Sequence, residues 1–212
     1  MNLFLKFLKL CAGRAGQLIN YSVLTIDAGV SVNTVKNWLS ILEVSFILYF
    51  LPPYAKKLNN RLIKSSKLFF YDTGLLCYLL GMTYYKQLIT YYQKGSIFEN
   101  FVVTEFVKDK LHHHRDYELS FFQDSNGNEI DLILEQGGFT MAIEVKSGTT
   151  LTHAHFSNLY AWMKDKDERT TKPYVVYGGD VSFTSKYGML LSWNNFIKPI
   201  LKDIRLLQAE KK

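Results

Sequence analysis

The stretch Glu129–Ser147 reads Glu-Ile-Asp-Leu-Ile-Leu-Glu-Gln-Gly-Gly-Phe-Thr-Met-Ala-Ile-Glu-Val-Lys-Ser. Aliphatic residues alternate with other types on both sides of Gly137-Gly138, which predicts two adjacent strands joined by a glycine turn. Charges interrupt this pattern: Asp131 lies within the first strand, and Glu144 and Lys146 are two apart on the second, so they project from one face. Such groups are rare in apolar strands unless they are paired or hold a metal. We therefore expect the chemistry of the chain in this hairpin.

On either side of this hairpin, the apolar spacing predicts further elements over residues 95–212. Ser96 and Glu99 have the spacing of a capping box at the start of the first helix, which explains Glu99 without any chemistry. The order α-β-β-β-α-β-β-α predicts an α/β (α+β) domain, a mixed β-sheet flanked by helices. The additional elements are a helix Ser96–Leu111, a strand Glu118–Phe122, a helix Leu151–Lys164, strands Tyr174–Tyr177 and Met189–Ser192, and a helix Asn194–Gln208.

Residues 1–82 predict a second domain, separated from the first by a tyrosine-rich linker at 83–94. A short helix Ser22–Ala28, a turn at Gly29 and a helix Val32–Phe46 with Ser31 as N-cap form a helix-turn-helix pattern. The buried stripe of the second helix is Val35, Leu39 and Leu42. Two strands, Ile47–Leu51 and Lys67–Tyr71, complete a winged helix-turn-helix.

Basic residues in this N-terminal part favour DNA as a partner. The net charge is +6 and the sequence pI is about 9.1, which permits a polyanionic partner. The second helix would present Asn33, Thr34, Lys36 and Asn37 to base edges, and the loop after it carries Lys56, Lys57, Arg61, Lys64 and Lys67 without an acid. There are three alternatives to DNA contact. The helix residues can be a solvated face, the loop can be basic for solubility alone, and the helix-turn-helix can be a protein-docking element.

The cysteines and the apolar segments predict the cellular location of the chain. Its two cysteines, Cys11 and Cys77, have no metal or redox spacing and suit a reducing compartment. The longest apolar run, Leu39–Leu51, contains Glu43 and is shorter than the roughly 20 residues that span a bilayer. Lysines interrupt the apolar pattern of the opening segment, so we expect no signal peptide and a cytoplasmic location without a membrane.

Three carboxylates and one ammonium form the candidate catalytic set. Glu99, Asp131, Glu144 and Lys146 carry a net charge of −2, which one Mg²⁺ would neutralise with oxygen ligands. A helix acid, a strand acid and Glu-x-Lys on the next strand resemble the PD-(D/E)XK nuclease superfamily. The resemblance implies a restriction-endonuclease-like fold, Mg²⁺ (or Mn²⁺) on Asp131, Glu144 and Glu99, and DNA hydrolysis with Lys146, Glu144 and Asp131 as catalytic residues.

A second resemblance covers nearly the whole chain. It rests on the phrases Ser-Val-Asn-Thr-Val-Lys-Asn-Trp-Leu (31–39), Leu-Pro-Pro-Tyr (51–54), Phe-Tyr-Asp-Thr-Gly-Leu-Leu (70–76), Gly-Ser-Ile-Phe-Glu-Asn-Phe-Val (95–102) and Gly-Asn-Glu-Ile-Asp-Leu (127–132). These are similar to the C-terminal region of a prokaryotic family of AAA-type ATPases, a winged helix followed by a nuclease-like domain of unassigned function. The resemblance implies a P-loop ATPase domain upstream. This chain departs from that pattern, because no Gly-x-x-x-x-Gly-Lys-Ser/Thr occurs in it, so any ATPase activity would belong to sequence outside it.

Two functions stay open at this point. One is a metal-dependent DNA endonuclease. The other is a non-catalytic DNA- or protein-binding regulatory module that keeps a nuclease fold and its acids as a buried ion-pair network. The residues predict no oligomeric state, no preferred DNA sequence and no biological process.

Overall fold

The computed structural model of the chain describes residues 2–54, 64–150, 153–164 and 172–209. These residues have a mixed α/β architecture and form two compact units. The first unit holds residues 2–52 and 64–104, and the second holds the remaining described residues. No helix within these ranges has both the length and the apolar character that crossing a membrane requires.

The first unit is mostly helical. Its helices surround one two-stranded antiparallel sheet whose register runs from Leu48 opposite Phe70 to Leu51 opposite Lys67. The elements are α1 (Leu3–Ala12), α2 (Tyr21–Ala28), α3 (Val32–Val44), β1 (Leu48–Leu51), β2 (Lys67–Phe70), α4 (Thr73–Leu79), α5 (Tyr85–Thr90) and the part of α6 (Lys94–His112) that ends at Thr104.

Helices α2 and α3 form where the sequence predicts them. Gly29 ends α2 in the left-handed conformation, with φ at 71°, where a side chain would be strained. The Ser31 hydroxyl then caps α3 by accepting a hydrogen bond from the Thr34 backbone N–H. The predicted stripe of Val35, Leu39 and Leu42 is buried in the core of the first unit, so this part of the prediction is confirmed.

The side chain of Asn100 attaches helix α6 to the end of β2. Asn100 is fully buried; its Oδ1 accepts a hydrogen bond from Phe70 N at 2.7 Å, and its Nδ2 donates to Phe70 O at 3.0 Å. The Thr104 hydroxyl, one turn later, donates to the same carbonyl at 3.0 Å. Two phrases that carry the family resemblance, 70–76 and 95–102, are therefore bonded to each other inside the first unit.

The second unit is built on a six-stranded mixed sheet with the order β3-β4-β5-β6-β8-β7. Strands β3, β4 and β5 are antiparallel, β5, β6 and β8 are parallel, and β7 is antiparallel to β8. The elements are the rest of α6, β3 (Glu118–Gln123), β4 (Glu129–Gln136), β5 (Phe139–Lys146), a 3₁₀ turn (His153–Phe156), α7 (Ser157–Met163), β6 (Tyr174–Tyr177), β7 (Phe183–Ser185), β8 (Gly188–Ser192) and α8 (Ile197–Ala209).

One face of this sheet is covered by the 3₁₀ turn and α7. Ala142 of β5 packs there in a core formed with Ile133, Val175, Leu190, Phe156, Leu159 and Trp162. Because side chains alternate along a strand, Glu144 and Lys146 follow Ala142 on the same face, toward the end of β5. The charged pair therefore lies next to the apolar core on the same face of the sheet.

Three features differ from the sequence prediction. Helix α6 begins at Lys94, so Ser96 lies within the helix and is not its N-cap, which makes the predicted capping box wrong. The stretch predicted as a linker contains helix α5. The short strand β7 has mostly exposed side chains and hence no alternating apolar signal in the sequence. The domain boundaries at 82 and 95 stay a prediction.

Candidate active site

The hairpin of β4 and β5 places Asp131 and Glu144 on neighbouring strands. The ladder runs from Gln136 opposite Phe139 at the glycine turn to Leu132 opposite Ile143. Asp131 and Glu144 follow this last backbone pair. There the Asp131 side chain takes the place of a backbone carbonyl as hydrogen-bond acceptor, because its Oδ2 accepts a hydrogen bond from Val145 N at 2.7 Å.

A β-bulge lies at Asp131 on the other edge of β4. The register with β3 shifts between the pair Ser120 opposite Ile133 and the pair Phe122 opposite Ile130. Two residues of β4, Asp131 and Leu132, therefore lie opposite one residue of β3. A bulge turns a side chain away from strict alternation and is frequent beside active sites. Here it brings the Asp131 carboxylate against the β5 backbone.

Glu144 and Lys146 contact each other. Lys146 Nζ donates to Glu144 Oε1 at 2.5 Å, and the Glu144 side chain is 7% exposed whereas that of Lys146 is 37% exposed. The second carboxylate atom, Oε2, is buried and has no hydrogen-bond donor among the described residues. One half of this buried carboxylate is thus satisfied by lysine and the other half is not, a situation that native interiors generally avoid.

The pKa of Glu144 is raised from its ordinary value of 4.5 to about 7, and burial is the largest cause. The negative charge of Asp131 acts in the same direction, while the charge of Lys146 and its hydrogen bond act in the opposite direction. Desolvation therefore outweighs the ion pair at this carboxyl. Near neutral pH the site can hold or release one proton at Glu144.

Two residues near this pair were missed by sequence reasoning. Glu129 lies two residues before Asp131, and its charge also raises the pKa of Glu144. His155, in the 3₁₀ turn, is half-buried, and its pKa is lowered by burial and by the positive charge of Lys146. Glu129 is visible in the sequence as one more acid in the strand. His155 is separated from Lys146 by a loop, so only the fold shows that they are close.

The third predicted metal ligand, Glu99, has its own partner in the first unit. Its Oε1 accepts a hydrogen bond from Lys67 Nζ at 2.8 Å, and the two side chains are 15% and 4% exposed. Asp131, Glu144 and Lys146 are brought together in the second unit. Over the ranges that the structure describes, no three His, Cys, Asp or Glu side chains are grouped so that they could hold a metal ion.

The predicted nucleic-acid contacts fall into three groups. Asn33, Lys36 and Asn37 are exposed on α3, and Lys64 is exposed beyond β1. Thr34 is half-buried and its hydroxyl lies 2.9 Å from that of Ser31, within the α3 cap. Lys56, Lys57 and Arg61 lie outside the described residues.

Lys67, which the sequence groups with the basic loop, is buried in its pair with Glu99. It is therefore not available to a phosphate, and its place in the basic set is wrong. The reason is that Lys67 is the first residue of β2, where its backbone lies opposite Leu51 and its side chain turns toward α6.

Comparison with known proteins finds two domains of unknown function in the chain. Residues 1–86 are similar to the domain of unknown function DUF8612, and residues 94–196 to the domain of unknown function DUF4143. No curated protein and no solved structure matches the chain. Because neither domain description names an activity, the functional argument depends on the geometry of the site.

Proposed function

We propose that the second unit is a nuclease-like domain that hydrolyses DNA phosphodiester bonds with the aid of a divalent metal ion. The observation that carries this proposal is the buried Glu144 Oε2, which lacks a donor in the described part of the chain and lies beside the carboxylate of Asp131. Leaving such an acceptor unsatisfied costs roughly 1–3 kcal/mol, and more when the group is charged. A cation at this point would remove that cost.

The residues present fit Mg²⁺ or Mn²⁺. Magnesium usually takes one or two carboxylates from a protein and keeps several waters. Asp131 and Glu144, on adjacent strands, would hold it. When bound, the ion would polarise a phosphoryl oxygen and lower the pKa of a bound water.

The chain's own residues have separate roles in this proposal. Lys146 extends from the buried pair to the surface, where its ammonium can contact a phosphate oxygen and stabilise the charge that develops on it. The backbone N–H of Val145 holds the Asp131 carboxylate in one orientation. His155, with its lowered pKa, stays neutral beside Lys146 and leaves the lysine as the local positive charge.

The first unit supplies the DNA contacts in this proposal. We interpret α2, α3 and the two-stranded sheet as a winged helix and the six-stranded sheet as restriction-endonuclease-like. Exposed Asn33, Lys36 and Asn37 at the start of α3 support DNA contact, as does the net charge of +6. The resemblance to AAA-type ATPases adds an upstream ATPase domain to the proposal, and the two cysteines without metal or redox spacing support a cytoplasmic location.

A second candidate function is a non-catalytic DNA- or protein-binding module. The 2.5 Å contact between Lys146 and Glu144 favours it, because the two groups neutralise each other without a metal. The pairing of Glu99 with Lys67 also favours it, since this acid has a structural role.

Metal binding and cleavage separate the two candidates. Linear and branched DNA would be incubated with the protein in Mg²⁺ or Mn²⁺, and calorimetry would measure Mn²⁺ binding without DNA. We expect Asp131→Asn to weaken Mn²⁺ binding and Lys146→Ala to reduce cleavage by about 10²–10³-fold. Lys202→Ala, an exposed lysine on α8, is the matched control and should cleave normally. If the parent protein cleaves none of the substrates, the second candidate stands.

The predicted basic loop has its own test. Reversing Lys56, Lys57 and Arg61 to glutamate should weaken duplex DNA binding and flatten its dependence on salt. An unchanged affinity would assign the loop to a protein partner.

A further inference from the structure

Four tyrosines of the first unit are almost completely exposed. Tyr78, Tyr84, Tyr85 and Tyr92 have exposed fractions of 70%, 73%, 77% and 84%. A tyrosine buries a large apolar ring when it finds a partner, and such rings dominate the energetics of interfaces. We call these four residues the tyrosine surface.

Helix α5 holds part of this surface on a fixed backbone. Gln87 Oε1 accepts hydrogen bonds from Thr83 N at 2.7 Å and from Tyr84 N at 2.9 Å, which secures the start of the helix. Leu88 and Tyr91 pack against the core of the first unit. Tyr85 is therefore presented outward by an ordered element.

The other two tyrosines, Tyr92 and Tyr78, each directly follow a residue that lies at the end of α5 or close to it. The Tyr92 ring centroid lies 4.9 Å from that of Tyr91. Burial raises the pKa of Tyr91, and smaller contributions come from Tyr92 and from the Cys77 thiol, so Tyr91 is close to α4, where Tyr78 follows Cys77. A helix of six residues is about 9 Å long. Tyr85 at its start and Tyr92 just past its end are thus about one helix length apart along the chain.

The stretch from residue 73 to residue 98 carries positive charges only, which favours an anionic partner. No acidic residue occurs between Asp72 and Glu99, whereas Lys86 and Lys94 lie within that stretch. Lys86 is exposed and directly follows Tyr85. Exposed aromatic faces combined with positive charge are the features that bind single-stranded nucleic acid, because bases stack on the rings and the backbone contacts the cations.

We propose that the tyrosine surface, together with Lys86, binds single-stranded nucleic acid by base stacking. This site belongs to the first unit, whereas Asp131, Glu144 and Lys146 belong to the second. The proposal goes beyond hydrolysis, since it requires neither a metal nor cleavage. The tyrosine surface itself would prefer unpaired strands to duplex, because only unpaired bases can stack on the rings.

Fluorescence anisotropy with a labelled oligothymidine tests the proposal. Binding would be measured in EDTA, so that loss of cleavage and loss of binding are distinguishable. We expect Tyr85→Ala and Tyr92→Ala each to weaken binding by about tenfold or more, and both Phe variants to bind like the parent. Ile26→Ala is the control, because Ile26 is 78% exposed on α2 and is not part of the surface.

The charge contribution is measured separately. Lys86→Ala should lower the slope of log affinity against log salt by about 0.7, the value for one phosphate contact on a single strand. Circular dichroism would establish that each variant is folded.

Three results would overturn the proposal. The first is a parent protein that does not bind the oligonucleotide, and the second is a pair of Ala variants that bind it as the parent does. The third is equal binding by the Tyr85→Leu and Tyr85→Phe variants, which would identify the surface as an apolar docking site for a protein partner.

Discussion

The raised pKa of Glu144 predicts that the stability of the second unit falls as pH rises. Below pH 4.5 the carboxyl is protonated whether the chain is folded or unfolded. Between 4.5 and about 7 the unfolded chain releases this proton while the folded chain retains it, so the free energy of unfolding decreases. Above pH 7 the folded state holds an ionised, buried carboxylate.

The magnitude follows from the size of the pKa change. At roughly 1.4 kcal/mol per pH unit, raising the Glu144 pKa from 4.5 to about 7 costs the folded state about 3 kcal/mol. The Glu144→Gln variant cannot ionise at this position. We therefore expect its stability relative to the parent to increase by about 3 kcal/mol between pH 4.5 and pH 8.

Urea denaturation followed by tryptophan fluorescence measures this difference. A Trp38→Phe background removes the tryptophan of the first unit, so that the signal comes from Trp162 and Trp193 of the second. Glu118→Gln is the control, because it makes the same change of residue at a side chain that is 76% exposed and lies outside the buried pair. Parallel stability curves for the parent and Glu144→Gln would refute the burial argument.

Repeating the urea denaturation with Mg²⁺ tests whether the site binds the ion. At pH 8 and a concentration ten times its dissociation constant, a bound ion would stabilise the parent by about 1.4 kcal/mol. It should leave Glu144→Gln almost unchanged.

Three further substitutions test the framework of the two units by urea denaturation. Asn100→Ala removes two buried hydrogen bonds to the β2 backbone and should cost about 1–3 kcal/mol, because the Phe70 N–H loses its partner while the Phe70 carbonyl keeps the Thr104 hydroxyl. Lys67→Met removes the ammonium beside a Glu99 side chain that is 15% exposed and should cost about 3–5 kcal/mol, most of which a second change, Glu99→Leu, should restore. Gly178→Ala places a Cβ 2.6 Å from Ser147 O and should cost about 1–3 kcal/mol, since backbone atoms must move.

The regular elements could be predicted from the sequence because their causes are local. Gly29, Ser31 and the apolar stripe of α3 act within one turn of the chain, and the structure has them as predicted. The hairpin around Gly137-Gly138 was likewise predicted, since alternation and turn chemistry agree there. Helix α5 was missed because it has only six residues and none of them is fully buried, so the sequence shows no apolar stripe there.

The candidate site could be predicted only in part. Glu144 and Lys146 share a face of one strand, so their proximity follows from spacing alone. Glu99 has the right residue type at a plausible position, yet its Lys67 partner is 32 residues earlier in the chain. The orientation of Asp131 depends on a bulge, which arises from the register of two strands and has no signal within either.

The bonding of Asn100 and Thr104 to Phe70 bears on how the chain can be dissected. A fragment that stops at residue 82 contains β2 but none of the side chains that bond to its last residue. Such a fragment would expose the N–H and C=O of Phe70 and would also lose the carboxylate beside Lys67. An expression fragment of the first unit therefore has to continue at least through Thr104, well past the point where the sequence suggests a linker.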